Sequence, residues 1–257
     1  MTRPLLVTAG ATRNRVDAIR YLSAHASGRT GVELAMALTE SGADEFWGGG
    51  GARPLRNASP GARRTEPLPD LEGPGAYAVH LLGSEEACLR AEIAALRAGT
   101  EGRAYAPTRE AYTSSRDLMA RMETWLRAHP SGVVVHSAAV GDYELDGDGV
   151  GKIPSGLPEM VLRFRPGPKI IDHVRGWAPD CFLASFKAAP PGTAPADLEL
   201  IARAQLRRTG SDLVFANVLG HTDTDVLLVR ADRTDAYATR AEAAAALLDA
   251  IKVAARA

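Results

Sequence analysis

Short apolar runs alternate with longer amphipathic segments along most of the chain. The apolar runs predict strands over residues 5–8, 45–47, 77–82, 132–136, 160–164, 181–186, 212–216 and 225–230. Apolar side chains at helical spacing predict helices over residues 32–38, 85–98, 113–128, 197–208 and 241–255. Regular alternation of strands and helices is typical of a mainly parallel sheet with helices on both faces. We therefore expect an α/β, Rossmann-like fold.

One long segment interrupts this alternation. Residues 48–75 are rich in Gly, Pro and Arg, which predicts an irregular loop. Loops of this length are uncommon inside compact domains and are often functional. We interpret residues 1–257 as a single domain with an irregular insertion around residues 48–106.

Bulk properties exclude several classes of protein. A net charge of −1 gives no general attraction to nucleic acid or to a membrane, and we expect neither as a partner. The chain has neither an apolar run of bilayer length nor the apolar core of a signal peptide. Cys88 and Cys181 lack the spacing of a disulfide framework or a zinc site, which favours a cytoplasmic location.

Small and polar residues follow the predicted strands, where ligands of parallel sheets bind. The first strand runs into a small-residue turn that contains Gly10, and a second such turn contains Gly28 and Gly31 before the next helix. Backbone N–H groups at such a helix start favour phosphate. The pattern is neither G-x-G-x-x-G nor a P-loop, so a purely structural turn explains it equally well.

Three charged residues lie where they could act on a ligand. Asp142 follows the strand at 132–136, Lys152 lies on a glycine-rich arm, and Lys169 lies at the start of a predicted helix. A carboxylate there suits a hydroxyl group or a metal near phosphates, and a lysine on a mobile arm suits a polyphosphate. The alternatives are a solvated acid, an exposed lysine and a simple helix cap.

Five segments together resemble the phosphopantothenate–cysteine ligase family, in its single-activity, eukaryotic-like form. The resemblance is carried by residues 7–12, 20–31, 136–143, 152–153 with 168–171 and 177–179, and 185–187 with 212–217. It implies a homodimeric ligase of coenzyme A biosynthesis that joins 4′-phosphopantothenate to cysteine through an acyl-nucleotide. It also implies CTP or ATP as co-substrate, with Mg²⁺.

The resemblance assigns roles by position. The residues assigned to the nucleotide are Gly10, Gly28, Gly31, Ser137, Lys152, Pro168, Lys169, Ile170, Phe186 and Asn217. The residues assigned to the acid substrate are Arg20, Ala24, Ala138, Ala139 and Asp142. Arg20 is expected to reach the site of the neighbouring subunit, and Lys152 and Asp142 are the expected catalytic residues.

One motif departs from the family pattern. The family has Asn-x-Ser-Ser-Gly where this chain has Ala24-His25-Ala26-Ser27-Gly28. Alanine supplies neither the amide nor the hydroxyl hydrogen bond. A paralogue that activates another carboxylic acid, or that stops at the acyl-nucleotide, therefore remains an alternative. A third is a non-catalytic nucleotide-binding protein.

Overall fold

A computed structural model describes residues 2–39, 77–100, 107–147, 151–154, 156 and 158–257. The predicted strand at 45–47 and the predicted loop at 48–75 lie outside these residues. The strands are β1 (Leu5–Ala9), β2 (Arg13–Arg15), β3 (Tyr21–Ser23), β4 (Val79–Ser84), β5 (Thr108–Tyr112), β6 (Val133–His136), β7 (Tyr143–Leu145), β8 (Phe164–Pro166), β9 (Phe182–Ala189), β10 (Leu213–Val218), β11 (Thr224–Val229) and β12 (Thr234–Thr239). The helices are α1 (Arg29–Thr39), α2 (Glu85–Thr100), α3 (Ser115–Ala128), α4 (Val174–Trp177), α5 (Pro195–Thr209) and α6 (Arg240–Arg256).

An eight-stranded sheet forms the centre of the fold, in the order β12-β11-β10-β9-β6-β1-β4-β5. The six strands from β10 to β5 are parallel, whereas β11 and β12 are antiparallel to their neighbours. Two small antiparallel pairs, β2–β3 and β7–β8, lie outside this sheet. The predicted Rossmann-like α/β fold is confirmed.

Helices cover both faces of the sheet. On one face α1, α2 and α6 pack on a core that includes Leu34, Leu81 and Phe215. On the other face α3 and α4 bury Leu118 against Leu6, and α5 covers a third cluster over β10 and β11. None of the described helices is both long and apolar enough to cross a bilayer.

The sequence prediction misses both edge strands of the sheet. β5 has the sequence TREAY and β12 the sequence TDAYAT, and neither contains an apolar run. An edge strand pairs on one side only and tolerates polar side chains, so it lacks the pattern of a buried strand. The predicted strand at 160–164 is wrong, because regular pairing begins only at Phe164, in β8.

From position 79 to position 100, the described residues of the predicted insertion form regular secondary structure. Residues 79–84 form β4 and residues 85–100 form α2, both built into the main fold. The irregular segment therefore does not extend through them.

The chain order of the strands creates a crevice. From β1 the chain adds β4 and β5 on one side, and then returns to place β6 on the other side of β1. Loops that leave β1 and β6 thus diverge to opposite faces of the sheet, which is where ligands bind in open parallel sheets. The predicted site residues on these two loops are Gly10, Ser137, Ala138 and Ala139.

Candidate active site

The two predicted glycine turns lie against each other at this crevice. Gly10 and Gly28 have φ angles of +90° and +73°. A Cβ atom on Gly28 would lie 2.7 Å from the backbone nitrogen of Gly10. A Cβ atom on Gly31 would lie 2.5 Å from Oγ of Ser137. The structure therefore brings these four residues together, and the chain's own packing already requires glycine there.

The loop after β6 is hydrogen-bonded to the loop after β1. The amide of Ala139 donates to the carbonyl of Gly10 at 2.8 Å, and the amide of Thr12 donates to the carbonyl of Ala139 at 3.1 Å. The amide of Ala138 donates to Oγ1 of Thr8 at 3.1 Å. Ala138 and Ala139 are half-buried, so they form a fixed, small-residue wall of the crevice.

Tyr112 supports the turn that contains Gly10. The sequence did not indicate a role for this residue. Its buried hydroxyl lies 2.9 Å from the carbonyl oxygen of Ala9 and 3.0 Å from that of Gly10. Burial raises the pKa of this phenol well above its usual value, so it stays a neutral donor. The residue ends the polar edge strand β5, where no sequence pattern marks a functional position.

His136 makes the stability of this region depend on pH. The ring is buried at the end of β6, its Nδ1 atom lies 3.0 Å from Oγ1 of Thr8, and desolvation lowers its pKa to about 4. Because the unfolded chain binds this proton near pH 6.5, the free energy of unfolding should fall between about pH 6.5 and 4. We expect His136 to account for a loss of about 3 kcal/mol over that range.

Urea unfolding of wild type and His136→Gln at several pH values measures this contribution. The exposed His221 provides the control variant His221→Gln. The variant at position 136 should lose much less stability between pH 6.5 and 4 than wild type, whereas the control should follow wild type. Parallel pH profiles for wild type and His136→Gln would contradict the assignment.

Asp142 and Lys169, which both lie on the connection between β6 and β9, form an ion pair. Both side chains are more than half exposed, at 64% and 56%, so the pair contributes little to stability and stays open to a ligand. Lys169 precedes a short 3-10 turn, Ile170–His173. The side chain of Ile170 is buried in the core, so only its backbone is available to a ligand, while Pro168 is half-buried.

Asp17 joins the Arg20 segment to the Lys152 segment, and the sequence did not reveal this residue. Its buried carboxylate accepts hydrogen bonds from the amides of Ile19, Arg20 and Ile153 and pairs with the Arg20 guanidinium. Desolvation opposes its ionisation, but these hydrogen bonds outweigh that effect and lower its pKa to about 2. The hydrogen bond from Ile153 to Asp17 thus anchors the predicted glycine-rich arm next to Lys152.

A second hydrogen bond holds the other side of Lys152. The amide of Ala18 donates to the carbonyl of Gly151 at 2.7 Å. Lys152 itself is exposed between these two attachment points. The backbone of Lys152 is therefore held on both sides, while its side chain is exposed to solvent.

A cavity of about 350 Å³ lies beside the first turn, between the β2–β3 hairpin and the start of α2. Its lining is contributed by Ala11, Arg13, Tyr21, Ser23, Ala24, His25, Ala26, Ser27, Ser84 and Glu86. The segment from Ala24 to Ser27, which departs from the family pattern, thus forms one wall of the cavity. Alanine at positions 24 and 26 leaves methyl groups where an asparagine and a serine would present polar atoms.

The remaining nucleotide-site candidates lie farther along the same edge of the sheet. Phe186 stacks on Phe215, with ring centroids 4.8 Å apart and planes at 23°. Asn217 is buried at the end of β10, where it pairs with Ala188 of β9. No hydrogen bond or ring contact described here joins either residue to the glycine turns.

The described residues contain no cluster of three or more His, Cys, Asp or Glu side chains that could hold a metal. Mg²⁺ usually takes only one or two carboxylates and draws further ligands from substrate phosphates and water. The exposed carboxylate of Asp142 fits that pattern, whereas a dedicated protein cage for the metal is absent from this part of the chain.

A family model for the DNA/pantothenate metabolism flavoprotein C-terminal domain matches residues 1–46 and 98–254. The chain belongs to this family. The unmatched residues between the two blocks, 47–97, include β4 and most of α2, which belong to the main fold.

Curated relatives place the family in coenzyme A biosynthesis. The chain is 31% identical over 232 residues to the coenzyme A biosynthesis bifunctional protein CoaBC of Thermococcus kodakarensis, covering 89% of this chain and 45% of that protein. It is 25% identical to the CoaBC protein of Mycobacterium tuberculosis, over 85% of this chain and 42% of that one. The chain thus spans about half the length of these relatives.

Solved structures share the fold. The DNA/pantothenate metabolism flavoprotein of Streptococcus pneumoniae superposes with a TM-score of 0.68 at 21% identity, covering 98% of this chain and 99% of that one. A Cab2 mutant in complex with phosphopantothenate-cysteine gives a TM-score of 0.66 at 14% identity, covering 99% and 89%. At these identities the likeness establishes the fold and leaves the residue roles to be argued separately.

Proposed function

We propose that this protein is a nucleoside-triphosphate-dependent ligase that joins 4′-phosphopantothenate to cysteine in coenzyme A biosynthesis. The observation that carries the proposal is the crevice between the loops that leave β1 and β6. There the turns that contain Gly10 and Gly28 lie directly against Ser137–Ala139. This juxtaposition suits a reaction between a nucleotide and a second substrate. The membership of the family and the CoaBC relatives support the choice of substrates.

The proposed chemistry has two steps. A carboxylate oxygen of the acid attacks the α-phosphorus of CTP or ATP, an acyl-nucleotide forms, and pyrophosphate leaves. The cysteine amine then attacks the acyl carbon, an amide bond forms, and the nucleoside monophosphate leaves with the carboxylate's former oxygen. Splitting amide formation in this way avoids displacing hydroxide or oxide from an unactivated acid.

The chain's own groups suit the first step. Small residues at 138–139 leave room for an extended acid, and the glycine turns present backbone N–H groups to phosphates. Lys152 and Lys169 supply positive charge for the phosphates as pyrophosphate leaves. Asp142 would hold Mg²⁺ together with the triphosphate, and the metal would neutralise phosphate charge.

Pyrophosphate release tests the proposal. CTP and ATP are each supplied with Mg²⁺, first alone, then with phosphopantothenate, and finally with cysteine as well. We expect release that requires the acid, and amide product only when cysteine is present. No acid-dependent release with either nucleotide would contradict the proposed ligase.

The cavity wall formed by Ala24, His25 and Ala26 favours a second candidate, an enzyme that stalls at the acyl-nucleotide or uses another amine. We expect slow ligation to cysteine and an increase of about tenfold in Ala24→Asn, because one well-placed hydrogen bond contributes about 1.4 kcal/mol. Single-turnover measurements that separate acyl-nucleotide formation from amide formation check this. The exposed Ala196 gives the control variant Ala196→Asn.

A homodimer with Arg20 acting across the interface also belongs to the proposal. Within its own chain the Arg20 guanidinium contacts Asp17 and, at 3.4 Å, the carbonyl of Ile153. We expect light scattering to give a dimer and Arg20→Ala to weaken binding of the acid. Arg233→Ala, just before the start of β12, is the matched control. A monomer, or unchanged affinity for the acid, would contradict this assignment.

A further inference from the structure

Arg240 lies between the two halves of the proposed nucleotide site. It is the first residue of α6, and its guanidinium donates to Oγ1 of Thr30 at 3.0 Å and to the carbonyl of Thr222 at 3.1 Å. Its Cζ atom is 5.0 Å from the centre of the Phe215 ring. Thr30 lies between Gly28 and Gly31 in the chain, while Phe215 is the ring on which Phe186 stacks.

Charged residues of both signs surround Arg240: Asp223 and Glu33 favour its protonated form, and Arg29 opposes it. The first turn of α1 contains no acidic residue and begins with Arg29, which pairs only loosely with Glu33 at 3.9 Å. The amino end of a helix is itself positive, so a cation there is unfavourable unless an anion compensates it. Burial lowers the pKa of the Arg240 guanidinium, since water solvates it only in part. Asp223 and Glu33 offset part of this cost, and a bound phosphate would offset more of it.

Neutral oxygens are the hydrogen-bond acceptors recorded for Arg240. Thr30 contributes a hydroxyl and Thr222 a carbonyl. A guanidinium has five N–H donors in a planar fork, so donors remain for a phosphate after these two contacts. The distance of 5.0 Å from Cζ of Arg240 to the centre of the Phe215 ring suits a cation–π contact.

We propose that Arg240 is a nucleotide-binding residue whose guanidinium contacts the phosphates of the nucleoside triphosphate between the glycine turns and the Phe186–Phe215 pair. This inference builds on the proposed function and adds a residue that the family resemblance did not supply. A purely structural role, in which Arg240 only ties α6 to α1 and to the turn after β10, is the competing interpretation.

Calorimetric titration of CTP, ATP and the two monophosphates distinguishes these roles. Arg240→Gln should weaken triphosphate binding at least tenfold and monophosphate binding much less, because the lost contact is to phosphates. Arg240→Lys should lose less affinity than Arg240→Gln, since it keeps the charge but loses the planar fork of donors. Arg233→Gln, just before β12 and paired with Asp235 of that strand, should bind like wild type.

The outcomes separate the inference from the proposed function. If wild type binds neither triphosphate, the proposed function is wrong. If wild type binds but Arg240→Gln binds triphosphate equally well, only the role of Arg240 is wrong. A uniform loss for triphosphates and monophosphates, with a lower melting temperature in both variants at position 240, supports the structural role and overturns the inference.

Discussion

Lys152→Ala should lower turnover by about 30- to 1000-fold while leaving nucleotide affinity within a few fold of wild type. The loss corresponds to about 2–4 kcal/mol of transition-state stabilisation, which is typical when one preorganised charge contact to a leaving group is removed. The backbone on both sides of Lys152 is held by Asp17 and Ala18, so the substitution removes the ammonium group without releasing the segment. Steady-state pyrophosphate release and calorimetric binding measure the two quantities.

The control for this experiment is Lys252→Ala, on α6, which removes one positive charge far along the chain from the crevice. It should retain wild-type turnover. Weaker nucleotide affinity with unchanged turnover in Lys152→Ala would mean that the lysine binds the ground state as strongly as the transition state. Unchanged turnover and unchanged affinity would reduce Lys152 to a surface residue.

Gly10→Ala should destabilise the protein by about 2–6 kcal/mol. The φ angle of +90° is unfavourable for any L side chain, and the new Cβ would lie 2.1 Å from Oγ and 2.7 Å from Cβ of Ser84. The left-handed strain and the overpacking each contribute about 1–3 kcal/mol. Denaturant unfolding gives the difference from the midpoint and slope.

Gly176→Ala is the matched control, because a Cβ there meets nothing within 4 Å and the residue lies in the helix α4. It should be neutral or slightly stabilising. Equal stability of Gly10→Ala and wild type would show that the loop after β1 can move away from Ser84 at low cost.

The interior of the fold could be predicted from apolar runs, and its edges could not. Strands such as β6 and β10 are buried on both faces, so their sequences are continuous apolar runs. The edge strands β5 and β12 are polar, and their pairing is decided by neighbours distant in sequence. The predicted strand at 160–164 is wrong because an alternating apolar and polar pattern does not by itself provide a neighbouring strand to pair with.

The candidate site shows the same division. Glycine and small residues after strands indicated the crevice at Gly10 and Ser137, because a tight turn requires such residues at neighbouring positions in the sequence. No local sequence pattern indicated Tyr112, Asp17 or Arg240. Each acts on residues far away in the chain: Tyr112 on Gly10, Asp17 on Ile153, and Arg240 on Thr30. Contacts of this kind appear only once the chain is folded.

The polar edges of the sheet also limit how copies of this protein can associate. β5 places Arg109 and Glu110 on one edge, and β12 places Asp235 on the other. Charged side chains on edge strands oppose pairing with a strand from another molecule. Growth of the sheet from copy to copy is therefore disfavoured, which protects the protein against fibrous aggregation when its concentration is high.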